Sequence, residues 1–200
     1  VTGMNEEGVA IAVHGGRAKD ISTKGIPIAF SMRDTLASTR TTEEAVARLS
    51  KEDVMVSHIV FVGDAKGDFA VVERAPGTPA FVRRSNRVTN HFEGPLASDR
   101  KNEDVRKGTT TLQRRSRIDT LLDETKSATV ESTLALLRDH RCADASCPVG
   151  DRRSIDAFIA THGVVADLTT KTLWVSEGPH LSGKFVKVTF AEEPPTVLEE

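Results

Sequence analysis

Apolar and polar positions alternate along this chain in two distinct rhythms. Short, dense apolar runs mark strands. "GVAIAVHG" (8–15) is one, and "SHIVFVGDAKGDFAVVERA" (57–75) is two runs joined by Asp64–Gly67, which predicts a hairpin with turn residues at its bend. "PAFVRRSNRVTNHF" (79–92) predicts two further short strands. "SIDAFIATHGVVADLTTKTLWVSEGP" (154–179) repeats the hairpin design around "DLTTK", and "GKFVKVTF" (183–190) alternates as a strand with one wet face. Helical spacing appears between these groups. "TTEEAVARLS" (41–50) opens on Thr41 and Glu44 at capping-box spacing and puts Ala45, Val46 and Leu49 on one face. "TTLQRRSRIDTLLDE" (110–124) gathers Leu112, Ile118, Leu121 and Leu122. "ATVESTLALLRDH" (128–140) places Val130, Leu134 and Leu137 behind a Thr129 cap. Grouped strands and grouped helices predict an α+β layered architecture, not the βαβα alternation of a parallel sheet. The polar stretch "ASDRKNEDVRKGTT" (97–110) reads as a surface loop or linker.

Composition narrows the function classes. With 200 residues, one domain is the default, here residues 1–190 followed by a loose acidic tail over 191–200. A net charge of −2 argues against a nucleic-acid binder, and the Arg-rich run at 106–117 reads as a solvated helix face. No apolar run approaches a membrane span, and no compartment is assigned. The absence of Tyr and 4% aromatics disfavour base-stacking platforms.

Candidate chemistry is sparse. Phosphate-loop and dinucleotide motifs are absent. "HGG" at 14–16 would suit an esterase oxyanion hole, but no G-x-S-x-G elbow accompanies it. The six histidines are scattered and no H-E-x-x-H occurs, so no metal site is expected. His58 and His162 fall in apolar runs, where a hydrogen-bonded structural histidine is expected. Cys142 and Cys147, in "HRCADASCPVG", suit neither a zinc knuckle nor a C-x-x-C redox motif. They are two separate thiols or a local loop disulfide. Asn90, in "VTNHFEG", reads as a turn cap, and Arg114 and Arg117 as solvated or as inward-facing carboxylate orienters.

Taken in order, "TGMNEEGVAIAV", "SHIVFVGDAKGDFAVVE", "VTNHF", "TLQRRSRIDTLL" and "THGVVADLTTKTLWVSEGP" resemble the acyltransferase/hydrolase family of N-terminal nucleophile (Ntn) enzymes. This group includes isopenicillin-N acyltransferase, with choloylglycine hydrolases and acid ceramidases as wider relatives. The resemblance implies an αββα four-layer sandwich of antiparallel sheets, incomplete at its N-terminus. It implies cleavage or transfer of a non-peptide N-acyl amide by an autocatalytically exposed N-terminal Cys, whose own α-amine serves as base. That Cys lies upstream of the "GMNEEG" block in the family, so this chain is expected to be a C-terminal portion, inactive alone. It is expected to associate with the remaining segment or with itself. By the same resemblance Asn90 is an oxyanion donor, and Arg114 sits close to the nucleophile with Arg117 as its neighbour. His14, Gly15 and His91 support the oxyanion or substrate, and Asn5 and Gly8 form a turn. The implied partner is an N-acyl small molecule, with no cofactor. The competing expectation is a family-fold domain without catalysis that binds a ligand or a protein.

Overall fold

The computed structural model describes residues 1–143, 147–178 and 183–190, with the backbone of 197–198. It divides into two compact units, Val1–Thr109 and Thr110–Glu200.

The first unit is built on a five-stranded antiparallel sheet whose order follows the chain: β1 (Thr2–Met4), β2 (Ala10–Gly15), β3 (His58–Gly63), β4 (Phe69–Arg74) and β5 (Phe81–Arg83). Its centre reads as unbroken apolar sequence because both faces are covered. Val60, Val62 and Val72 point to one face, where they pack with Ile11, Met32, Ala45 and Leu49. Met32 comes from α1 (Ile28–Ser38), and Ala45 and Leu49 from α2 (Thr42–Lys51). Ile59 and Val71 point the other way, against Ala18, Ala75 and Phe92. One-residue alternation therefore feeds two cores from the same strands.

Local chemistry fixes the connections. Asn5 Oδ1 accepts from the Glu7 and Val9 N–H groups, and its Nδ2 donates to the Leu36 and Thr39 carbonyls. Gly8 completes this turn at φ 85°, a backbone region that disfavours a Cβ. The Asn5/Gly8 turn is thus as expected, with the added result that it grips the C-terminal end of α1. Asp64 ties the β3–β4 turn to α2: its Oδ2 accepts from Thr42 N–H at 2.7 Å and its Oδ1 from Lys66 N–H at 2.9 Å. Burial alone would raise the Asp64 pKa, but these backbone donors, with that of Asp68, hold it below the usual range. Thr41 caps α2 by accepting from Glu44 N–H, while the Glu44 carboxylate reaches back to Arg40 N–H.

Three sequence expectations change in this unit. The polar stretch at 97–110 contains a helix, α3 (Arg100–Gly108), capped by Asp99. Residues 79–92 hold one strand, β5, and continue as a loop. Helix α1 is an additional element: its inner face mixes apolar Met32 with polar Ser31 and Thr35, while apolar Phe30 is left 64% exposed, so its apolar positions mark that face only in part.

The second unit carries α4 (Thr111–Glu124), α5 (Val130–Leu137) and a four-stranded antiparallel sheet, β6 (Val164–Asp167), β7 (Thr172–Ser176), β8 (Phe185–Val188) and β9 (Val197–Leu198). A capping box between Thr129 and Ser132 starts α5. Leu134 packs with Val165 and Phe185, flanked by Val130, Leu137 and Trp174. The β6–β7 hairpin turns where expected, with Asp167 Oδ1 accepting from Thr169 and Thr170 N–H groups. His162 lies outside the strands and is exposed, with Nδ1 3.0 Å from Thr161 Oγ1. Of the acidic tail, only Val197 and Leu198 fall among the described residues, paired with β8. His180 lies outside them.

Candidate functional site

Strand β2 ends at Gly15, which pairs with His58 at the start of β3. The Gly15 carbonyl accepts a 3.0 Å hydrogen bond from Asn90 Nδ2. Two of the sequence-nominated residues, 75 positions apart, therefore meet. His14, one residue before, is half-buried on β2 opposite Ile59.

Asn90 sits on a loop held by buried polar side chains. Asn102 of α3 is fully buried. It accepts from Phe92 N–H at 2.8 Å and donates to the carbonyls of Phe92 (3.1 Å) and Ala97 (2.9 Å). From the sheet side, the Glu73 carboxylate at the end of β4 accepts from the N–H groups of Glu93 and Gly94, both at 2.9 Å. Arg83 of β5 bridges the carboxylates of Glu73 and Glu93, 3.3 Å from each. Buried His91 joins the same network, with Nδ1 3.0 Å from Thr89 Oγ1 and Nε2 3.8 Å from Glu93 Oε1. Phe92 fills the core beside Gly16, where an added Cβ would lie 2.7 Å from the Phe92 ring. Side-chain entropy at Asn90 is thus spent in the fold rather than at the moment a ligand binds.

A second polar cluster lies under the same sheet, and its His58 is the ladder partner of Gly15. Arg74 is 2% exposed and donates to Ser31 Oγ, to the Glu52 carboxylate and to the Glu52 carbonyl. Ser31 Oγ also donates a short hydrogen bond to Glu52 Oε2. His58 donates from Nδ1 to the Val56 carbonyl at 2.8 Å, leaving Nε2 toward Arg74 Nη1 at 3.5 Å. Burial and the Arg74 charge push the His58 pKa down to about 4, so the ring is neutral near pH 7. His58 is the hydrogen-bonded structural histidine its apolar run predicts.

In the second unit, α4 carries Arg114 and Arg117 one turn apart. Arg117 is buried and forms a bidentate pair with Asp139, with Nε and Nη2 at 2.7 and 2.8 Å from the two carboxylate oxygens. The hydrogen bond to Asp139 raises the Arg117 pKa. Burial lowers the pKa of Arg114 from its ordinary value, which still leaves the guanidinium charged at any working pH. Arg117 is therefore a fixed strut of the helix that presents Arg114. Cys142 and Cys147 form a disulfide. Asp151 lies close to both sulfurs, but a disulfide offers no thiolate to a cation.

The sequence points to only part of the network around Asn90. Asn90, His91, His14 and Gly15 are the positions it picks out. Asn102, Glu73, Arg83 and Glu93 are not among them, and one signal exists: a carboxylate closing the apolar run "FAVVE".

The two antiparallel sheets with their helices define an Ntn-hydrolase fold. Penicillin V acylase from Agrobacterium tumefaciens superimposes with a TM-score of 0.63 at 21% identity, over 96% of this chain and 66% of that one. A mutant of the conjugated bile acid hydrolase from Clostridium perfringens does so with a TM-score of 0.57 at 13% identity, over 100% of this chain and 76% of the other. The chain thus spans just under two thirds of the acylase. No curated protein matches by sequence. Within this class the chain belongs to the acyl-coenzyme A:6-aminopenicillanic acid acyl-transferase family, whose model matches residues 1–178. Among the described residues no helix is long and apolar enough to cross a membrane.

Proposed function

We propose that this chain supplies the charge-stabilising part of a cysteine-nucleophile amidohydrolase or acyltransferase that acts on N-acyl amides. The observation that carries the reading is the Asn90 Nδ2 contact with the Gly15 carbonyl, on a loop pinned from α3 and β4. Amide cleavage passes through a tetrahedral intermediate whose oxygen gains a negative charge. A preorganised N–H donor stabilises that charge without reorganising at the moment of reaction. Asn90 Nδ2 is assigned this donor role, with backbone at His14 and Gly15 in support and His91 holding the loop. Arg114 is assigned a place near the attacking sulfur, where its positive charge favours thiolate over thiol.

The nucleophile itself is assigned to a cysteine other than Cys142 and Cys147, since their sulfurs are bonded to each other. Family membership supports an N-terminal Cys whose α-amine accepts the thiol proton. The thiolate then attacks the acyl carbon, and the protonated amine delivers its proton to the leaving nitrogen. Water or an acceptor amine next takes the acyl group from sulfur.

The test is Asn90→Ala in the full-length protein, assayed on N-acyl amides. A fall in kcat of about 10²–10³ with little change in KM is expected. Undiminished turnover removes Asn90 from the site. Mass spectrometry of the mature protein adds a second check: the reading requires a Cys at the processed N-terminus.

A further inference from the structure

Beside the Gly15–Asn90 contact, the first unit has a cleft of about 250 Å³, bounded by Gly16, Arg17, Lys19, Asp20, Ser57 and Lys101 among others. Its walls are built, not incidental. Ser57 Oγ donates to the Gly16 carbonyl at 3.1 Å and accepts from Ala18 N–H at 3.0 Å, which fixes the segment leaving β2. Lys19 adopts a left-handed backbone, φ 54°, uncommon for a residue with a side chain. Two contacts hold it there: Asp99 Oδ2 accepts its N–H at 3.3 Å, and Lys101 Nζ donates to its carbonyl at 2.8 Å. Strained backbone of this kind persists where surrounding structure over-determines it.

The charges around this cleft are unequal. Lys101 pairs with Asp20 at 2.5 Å, and Lys19 lies 3.9 Å from Asp99. Arg17 is exposed and has no ion-pair partner among the described residues. A guanidinium presents a planar fork matched to two oxygens of a carboxylate or phosphate. The cleft is also tied to the Asn90 loop. Gly16 follows Gly15 in the chain and backs directly onto Phe92, and Lys101 precedes Asn102, which grips Phe92.

We infer that this cleft is a subsite for an oxyanion, a carboxylate or phosphate, carried by the substrate away from the amide bond that is cut, with Arg17 as its ligand. The inference rests on the function proposed above, which places that bond against Asn90. Binding here holds a remote part of the substrate and so acts on selection between substrates.

The experiment compares three substrates of the full-length protein with one acyl group: an N-acyl amino acid with a free carboxylate, its neutral carboxamide, and an N-acyl phosphoethanolamine. Arg17→Gln is expected to lower the kcat/KM ratio of carboxylate to carboxamide about three- to tenfold, with the preference also weakening as salt rises. A larger fall for the phosphoethanolamine identifies the anion as phosphate, and a larger fall for the amino acid identifies it as carboxylate. Equal effects on charged and neutral substrates, or none, overturn the assignment. Titration with inorganic phosphate, followed through the arginine side-chain NMR signals, reads the subsite independently of activity. If no substrate is cut, the proposed function fails, while phosphate binding that is lost in Arg17→Gln still supports the anion site. Absence of binding at tens of millimolar overturns it.

Discussion

Asn102 grips both backbone groups of Phe92: its Oδ1 accepts the N–H at 2.8 Å and its Nδ2 donates to the C=O at 3.1 Å. A single side chain thereby sets the path of the loop two residues beyond Asn90. Asn102→Asp keeps the shape but turns a donor into an acceptor that faces two carbonyls in a buried site. We expect a loss of about 2–3 kcal/mol in stability by urea unfolding. Under the proposed function, kcat should fall further than KM rises. A variant with the wild-type unfolding midpoint would show that the loop holds its shape without this residue.

His58 gives the first unit a pH dependence of known sign. Its folded pKa lies near 4, below its usual value of 6.5. Between those values the unfolded chain binds the proton and the folded chain does not, so stability falls as pH drops through this window and levels off below it. The contribution is about 2 kcal/mol between pH 7 and 5. Denaturant unfolding at both pH values should show a smaller acid loss for His58→Gln than for wild type. Parallel losses would mean that the ring is solvated.

Asp139→Asn leaves Arg117 charged, buried and without its carboxylate. Breaking such a pair from one side costs about 3–5 kcal/mol, whereas replacing both partners with apolar residues costs far less. Arg117→Met combined with Asp139→Leu should therefore unfold at higher denaturant than Asp139→Asn alone. The reverse order would mean that water reaches the pair.

The disulfide joins residues five apart in sequence. Closing so short a loop contributes about 2 kcal/mol by restricting the unfolded chain. A dithiol reductant should lower the melting temperature of wild type and leave a Cys142→Ser, Cys147→Ser variant unmoved. In the unreduced protein, thiol alkylation should label neither residue.

Legibility in the sequence followed the apolar pattern. The Asp64–Gly67 hairpin and the 167–171 turn were readable because turn residues interrupt dense apolar runs. Helix α3 was not. Its span "RKNEDVRKG" contains one apolar residue, Val105, and its buried member is Asn102. Periodicity detects helices that bury hydrocarbon, whereas this one buries an amide. Helix α1 misleads in the opposite way, with Phe30 exposed and Ser31 and Thr35 inside. At the site, Asn90 and Gly15 became visible through the family resemblance. The side chains that hold them did not, because hydrogen bonds across tens of residues leave no local rhythm.

The Glu73 carboxylate receives three N–H groups, from Glu93, Gly94 and the Arg83 side chain. Only an anion with two acceptor oxygens meets that demand, so glutamine, its nearest neutral isostere, would turn an amide NH2 toward hydrogens already pointing at it. Whoever transplants this loop onto another scaffold, or redesigns the sheet beneath it for heat tolerance, must carry that one acid along with the asparagine it serves.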